Sequence, residues 1–313
     1  MRILLVKTSS LGDVIHNLPV VTDLRGHFPD AAIDWVVEEG FADIPRLHPG
    51  VRNAIPVALR RWRKSLLAPA TWREISAFRA ALKEQSYDLV IDTQGLLKSA
   101  LITRMAHGRR CGYAAAAARE PLAARFYDTC FDVPKDLHAV LRNLRLAALA
   151  AGYAAAPAPD YGIAVPSAPT STESGAVLLT ATSRDDKLWP QDRWIEVGRA
   201  LHERGLGCLL PAGSTAERER AGQIAQAIPG AMILPPMRLA DLASQLAAAR
   251  IVIGVDTGLV HLAAALGRPV LALFSASDPA LTGVLANTPA INLGTRGQPP
   301  SVDDVLAAAA PLL

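Results

Sequence analysis

The 313-residue sequence predicts an α/β protein of two doubly wound domains in tandem. Three observations lead there. Short apolar runs alternate with stretches of helical periodicity along the whole chain, the pattern of mostly parallel sheets covered by helices on both faces. A stretch rich in Pro, Ser, Thr and Ala, residues 157–174, breaks the alternation near the middle and reads as an interdomain linker. The alternation then restarts with similar architecture but no sequence repeat.

In the first half, strands are expected over residues 3–7, 32–37, 54–57, 89–93 and 110–113, with helical patterns such as 72–85 and 97–106 between them. In the second half they are expected over 176–180, 207–211, 232–234, 251–255, 270–273 and 290–293. Helices over 193–204, 217–227 and 239–250 fill those gaps. The expected domains are 1–165 and 166–313, with room for the last helix to pack back on the first. Ligands of such sheets bind outside the carboxyl ends of the strands, and with two domains the cleft between them is the default site. Polar residues just after strands are therefore the ones to inspect.

Bulk properties narrow the function. Half the residues are hydrophobic and 19% are charged, which excludes a disordered chain, and a net charge of +3 marks no partner. Cys111, Cys130 and Cys208 are far apart and form no CxxC, so neither a disulfide framework nor a zinc site is expected, as befits a reducing cytosol. Lys7 cuts the first apolar run too short for a signal peptide. No run approaches the ~20 apolar residues that span a bilayer. The expectation is a soluble protein, at most bound to a membrane surface.

The first corner, "VKTSSLGDVIHNLP" (6–19), has the outline of a phosphate loop. It nevertheless presents Asp13 where a phosphate would want amides and positive charge. The carboxylate either caps the helix or is brought into a site.

The second half holds three polar corners. In "IVIGVDTGLVHLAAALGRP" (251–269), Asp256, Thr257 and Gly258 turn a buried strand into a helix, with His261 one turn in. The free amides and dipole of that helix start suit an anion; capping by Asp256 or Thr257 is the alternative. In "VLLTATSRDDKLWPQDRW" (177–194), Thr182 and Ser183 lead to Lys187, either a point charge for a diphosphate or a solvated loop lysine. In "LLPAGSTAERER" (209–220), Glu217 either accepts from ribose hydroxyls or simply complements the helix dipole. Three such corners in one domain favour a nucleotide. Neither GxGxxG nor Walker A occurs at these strand ends, which favours a nucleotide held as substrate over a dinucleotide cofactor or ATP hydrolysis.

The run "LRRWRKS" (59–65) sets Arg60, Arg61, Arg63 and Lys64 around Trp62. It is either a solvated face or a set of forks for phosphate and carboxylate, with the tryptophan at the boundary of a lipid surface. It is short and lacks a stacking platform, so nucleic acid is not expected as a partner.

Six blocks together carry a family resemblance: "VKTSSLGDVIHNLP", "DWVVEEGF" (34–41), "IPVALRRWRK" (55–64), "DTQGLLKSALIT" (92–103), "TSRDDKLWP" (182–190) and "VDTGLVHLAAALGRP" (255–269). In order and over nearly the whole chain, they resemble the lipopolysaccharide heptosyltransferases of glycosyltransferase family 9. "VEEGF" and "RRWRK" point to heptosyltransferase I rather than II. The resemblance implies a GT-B fold, two Rossmann-like domains facing across a cleft, with no metal and no cofactor beyond the donor substrate. It implies inverting transfer of L-glycero-D-manno-heptose from ADP-heptose to the Kdo of Kdo-lipid A. The place would be the cytoplasmic face of the inner membrane, with the protein peripherally associated.

By the same resemblance Asp13 is the general base. Thr182, Ser183, Lys187, Glu217, Asp256, Thr257, Gly258 and His261 bind the donor, and Met237 lines the adenine pocket unless it is ordinary core. Arg119, His138 and Arg142 are further candidates for the acceptor's acidic groups beside Arg60, Arg61, Arg63 and Lys64, a structural role being the alternative for a lone residue such as His138. One departure is the alanine run in "GYAAAAAREP" (112–121), where polar residues of a mobile acceptor-side loop are expected. The rival readings are heptosyltransferase II, a sugar-nucleotide epimerase on the same scaffold and a non-enzymatic nucleotide-binding module.

Overall fold

The computed structural model describes residues 1–165 and 175–313, so the later part of the expected linker lies outside the described residues. They form two compact units, Met1–Gly162 and Ile163–Leu313.

The first unit is built on β1 (Arg2–Val6), β2 (Ala32–Glu38), β3 (Val51–Val57), β4 (Ser86–Asp92), β5 (His107–Tyr113) and β6 (Thr129–Phe131). All pair in parallel, in the order β3-β2-β1-β4-β5-β6. The second is built on β7 (Ala176–Leu179), β8 (Cys208–Leu210), β9 (Met232–Ile233), β10 (Ile251–Val255), β11 (Val270–Leu273) and β12 (Ala290–Leu293). Its order, β12-β11-β10-β7-β8-β9, is the same doubly wound arrangement, again fully parallel. In each sheet the winding reverses at one place, β1 beside β4 and β7 beside β10. In sheets of this kind ligands bind at such a place, outside the carboxyl ends of the strands.

The central strands are apolar throughout because helices cover both faces. Ile3, Leu4, Leu5 and Val6 are fully buried, as are Ile251, Val252, Ile253 and Val255. At Gly254, between those last residues, a Cβ would strike Val260 and Leu179, so the glycine lets the following helix lie close on the sheet. One core of the first unit gathers Leu4, Val36, Trp62, Phe78, Leu82 and Val90. The second unit gathers Leu178, Trp189, Trp194, Leu201, Leu210, Ile253 and Leu271. Trp189 and Trp194 meet edge to face at 5.1 Å. Burial of side chains this size contributes about 1.5–3 kcal/mol each. The last helix, Val302–Ala309, places Val305 and Ala309 in this second core.

The differences from expectation are local. β3, β4 and β5 start earlier than their apolar runs because polar residues pair at the exposed end of the sheet, as in "SYD" and "HGR". β6 has three residues and too little pattern to be expected. The start of the expected linker is packed on the first unit: Tyr161 is buried, and a Cβ at Gly162 (φ +60°) would strike Thr22 and His48. Among the described residues no helix is long and apolar enough to cross a membrane.

Candidate functional site

Each reversal point carries a lysine and an aspartate. At the first, the corner after β1 is stapled to the corner after β4. The Gln94 carboxamide oxygen accepts from the Thr8 N–H and hydroxyl, both at 2.8 Å, and its NH2 donates to the Ser9 carbonyl at 3.0 Å. Ser10 then caps the helix Leu11–Ile15, and Asp13 stands in its first turn. Asp13 Oδ2 accepts from the Ser10 N–H (2.9 Å) and hydroxyl (3.0 Å), and Arg119 Nη1 lies 3.7 Å from the same oxygen. Among the described residues Oδ1 receives no hydrogen bond. The two readings of Asp13 are therefore compatible: one oxygen serves the cap and the other receives no hydrogen bond among the described residues.

Lys7, at the end of β1, is the residue that sequence reasoning passed over. It is 6% exposed, and its ammonium donates to the Thr93 carbonyl (2.8 Å) and Asn143 Oδ1 (3.3 Å). Burial pushes its pKa down to about 8, against the upward pull of Asp13. Burial pushes Asp13 upward in turn, but Lys7, the Ser10 bonds and Arg119 outweigh it, so the carboxyl sits below its ordinary value. Its signal in the sequence was a lysine ending a buried strand immediately before a polar corner.

Asn143 extends the network, donating to the His16 carbonyl at 3.1 Å and receiving Tyr113 OH at 3.3 Å. Arg142 stacks over Tyr113 at 4.8 Å and donates to the Ala117 carbonyl at 2.7 Å. His138 begins the helix Ala139–Ala151, its Nδ1 accepting from the Val140 N–H at 3.2 Å, and its ring lies 5.7 Å from His16. Arg119 thus stands beside Asp13, while Arg142 packs on Tyr113 and His138 lies beside His16. The alanine run is a packed turn: Ala117 and Ala118 are buried, and they hold Arg119 beside Asp13. In place of the expected polar side chains, Ala115 and Ala116 are exposed and Ala117 and Ala118 are packed inward. Lys98, a second residue passed over, donates to Ser9 Oγ at 2.7 Å.

The basic run divides. Arg61 grips Glu39 through two bonds of 3.1 and 3.0 Å and reaches Glu74 at 3.0 Å. Trp62 is buried against Phe78, its N–H donating to Glu74 at 2.8 Å. The tryptophan expected at a lipid boundary is therefore a core residue, because its partners lie on the following helix. Arg60 stacks over Phe41 at 5.0 Å, and Arg63 and Lys64 are exposed. Glu38, Phe41, Arg60 and Lys64 help to line a concavity of about 340 Å³.

At the second reversal point, Lys187 ends a short turn after β7 and Asp256 follows β10. Lys187 Nζ donates to Asp256 Oδ2 at 2.6 Å, and Ser277 Oγ donates to the same oxygen. Thr182 Oγ1 donates to the Asp256 carbonyl at 3.0 Å. Thr257 is the N-cap of the helix Gly258–Ala265 and makes no side-chain cap bond; His261 is buried within that helix. Asp256 is thus the orienting partner of Lys187, which answers the alternative of a solvated loop lysine. Ser183 is exposed nearby, and Met237 is half-buried in the loop after β9. Glu217 Oε2 accepts from the Gly213 and Ser214 N–H groups at 2.8 and 2.9 Å, closing a capping box on the helix Thr215–Gln226. The helix start therefore holds one oxygen of Glu217.

The chain matches the family model described as "Glycosyltransferase family 9 (heptosyltransferase)" over residues 75–307. It is 48% identical to a lipopolysaccharide heptosyltransferase 1 from Pseudomonas aeruginosa over 311 residues, covering 94% of this chain and 84% of that one. A structure of the E. coli heptosyltransferase WaaC with ADP superimposes with a TM-score of 0.93 at 42% identity, all of both chains being covered. The same enzyme with ADP-2-deoxy-2-fluoro heptose gives 0.91 at 41% identity, again over both full chains.

Proposed function

The chain belongs to glycosyltransferase family 9, the heptosyltransferases, and from that premise we propose that it is an inverting transferase moving heptose from ADP-heptose to Kdo-lipid A. The observation that carries the mechanism is the Asp13 carboxylate, pinned through one oxygen at a sheet reversal point and open at the other.

The acceptor hydroxyl attacks the anomeric carbon of the heptose while the bond from that carbon to the phosphate oxygen breaks. The electron pair leaves with ADP, and the hydroxyl proton passes to Asp13 Oδ1. An ionised carboxylate with a depressed pKa is a weak base towards a neutral alcohol. It becomes adequate late in the reaction, when the new C–O bond has made the hydroxyl strongly acidic. Lys187 and the free amides of Thr257, Gly258 and Leu259 offset the charge growing on the diphosphate. No metal or organic cofactor is assigned, since these groups take that charge. Thr182, Ser183, Glu217, His261 and Met237 belong to the donor pocket in this assignment. Asp256 acts through Lys187.

Acidic and phosphate groups of the acceptor meet Arg60, Arg63, Lys64, Arg119, Arg142 and His138, whereas Arg61 braces the run. The protein works at the cytoplasmic face of the inner membrane, and nucleic acid is not a partner. Asp13→Asn tests the assignment, because the amide keeps the Ser10 bonds and loses the base. We expect kcat to fall by about 10²–10⁴-fold with the ADP-heptose Kd nearly unchanged. Loss of donor binding in that variant, with the fold intact, removes Asp13 from the role of base.

A further inference from the structure

Beyond the basic run, large apolar side chains stand in water. Leu66 is 50%, Leu67 99% and Trp72 59% exposed. They cluster on one loop and the start of the helix Pro69–Lys83. The projection is held in place: the Trp72 N–H donates to the Leu66 carbonyl and the Thr71 hydroxyl to the Ser65 carbonyl, both at 2.8 Å. The indole's polar atom is thereby satisfied within the loop, and its apolar body faces outward. Residues 59–73 contain Arg60, Arg61, Arg63, Lys64 and Arg73 and no acidic residue. Only Arg61 of these forms an ion pair among the described residues.

We propose that Leu66, Leu67 and Trp72, flanked by Arg63, Lys64 and Arg73, are the surface that seats this protein on an anionic lipid bilayer. Three apolar side chains alone bind a membrane weakly, and so does a short cationic cluster; the two signals together give reversible adsorption. The leucines enter the acyl boundary, the tryptophan lies at headgroup depth, and the cations meet lipid phosphates. A second copy of the chain is a poor occupant, since a self-complementary contact would set two such cationic patches against each other. The assignment deepens the membrane location given above and depends on that reading only for the choice of membrane, because adsorption needs no transfer chemistry.

The test uses the full chain with vesicles of phosphatidylcholine alone, or with about a third phosphatidylglycerol, read by co-sedimentation and tryptophan emission. Trp35, Trp62, Trp189 and Trp194 are buried, so a blue shift on binding reports Trp72. We expect binding to the anionic vesicles, weakened by salt, with a blue shift that Trp72→Phe abolishes. Leu66→Ser combined with Leu67→Ser should bind at least about 10-fold more weakly. That variant should keep wild-type transfer to a water-soluble, Kdo-bearing acceptor without acyl chains. The proposal is overturned if anionic vesicles bind no better than neutral ones, or if the double variant binds like wild type. It is also overturned if the double substitution abolishes self-association in the ultracentrifuge while vesicle binding persists. If the wild-type protein binds vesicles but transfers nothing to the soluble acceptor, the transferase assignment fails and the bilayer surface stands.

Discussion

Replacing Lys7 by Met should separate the fold's stability from its chemistry. The Lys7 ammonium is buried, and burial lowers its pKa from 10.5 to about 8. At about 1.36 kcal/mol per decade, holding it charged in the folded protein costs roughly 3 kcal/mol near neutral pH. An unfolded chain keeps that proton up to pH 10 or so, whereas the folded chain releases it near 8. Between those values the unfolded state binds more protons, so stability rises with pH, by about 2 kcal/mol between pH 7 and about 9.5. Lys7→Met should lose this rise. At neutral pH it should be no less stable than wild type, because relief of the buried charge offsets about 1–3 kcal/mol of lost hydrogen bonding to Thr93 and Asn143. The chemistry should move the other way. Lys7 is the strongest influence holding the Asp13 carboxyl down. Without it the acid limb of kcat/KM should shift to higher pH, with ADP-heptose affinity unchanged. Urea titrations at both pH values and a pH–rate profile read the two effects. A variant that keeps the alkaline rise in stability, or an acid limb that does not move, would refute this account of Lys7.

Other substitutions test the remaining assignments. Lys187→Ala should weaken ADP-heptose binding about 10–100-fold by calorimetry, the range of a hydrogen bond to a charged group. Asp256→Asn should weaken it less, and the double variant should be clearly non-additive, because Asp256 acts through the lysine it holds. Arg63→Ala should raise the acceptor KM about 5–10-fold, the loss of one charge-assisted contact. Arg61→Ala should change it less than about 3-fold, since its guanidinium is already held by Glu39 and Glu74. Equal effects from the two arginines would return Arg61 to the acceptor surface.

What could be read from sequence follows the range of the interactions. The strands at 3–6 and 251–255 were legible because both faces are buried and each run is apolar without interruption. β6 was not legible, since three residues cannot show a period. The corners at Asp13 and Asp256 were visible as polar residues ending apolar runs. Their electrostatics were not, because Lys187 is 69 residues from its aspartate. Lys7 registered only as an interruption of an apolar run, although its chain position already set it at the mouth of the corner. Trp62 was misread for the same reason: "RRWRK" carries no trace of Glu74 and Phe78, which bury the indole. Leu66 and Leu67 resemble core residues in the sequence. Only the fold shows that, among the described residues, Leu66 is half exposed and Leu67 almost wholly so.

The two reversal points use one device with opposite polarity. In the first unit the lysine is the buried member, fixed by the Thr93 carbonyl and Asn143, and Asp13 is the presented member, its side chain a quarter exposed. In the second unit the aspartate is fixed by Ser277 and by its place after β10, and the Lys187 side chain is the more exposed, 19% against 10%. Each pair sets a charge of opposite sign near the buried one, which offsets part of the desolvation penalty of a polar corner on a buried strand. Each still offers one charge to a ligand. The carboxylate suits a hydroxyl about to lose a proton, and the ammonium suits a diphosphate about to gain charge. Neutralising Lys7 should therefore alter how Asp13 holds charge before it alters what binds. Lys7→Met carries that signature and Asp256→Asn acts by loosening the hold on Lys187, whereas Asp13→Asn and Lys187→Ala, which remove the presented charge, should strike turnover and donor affinity directly.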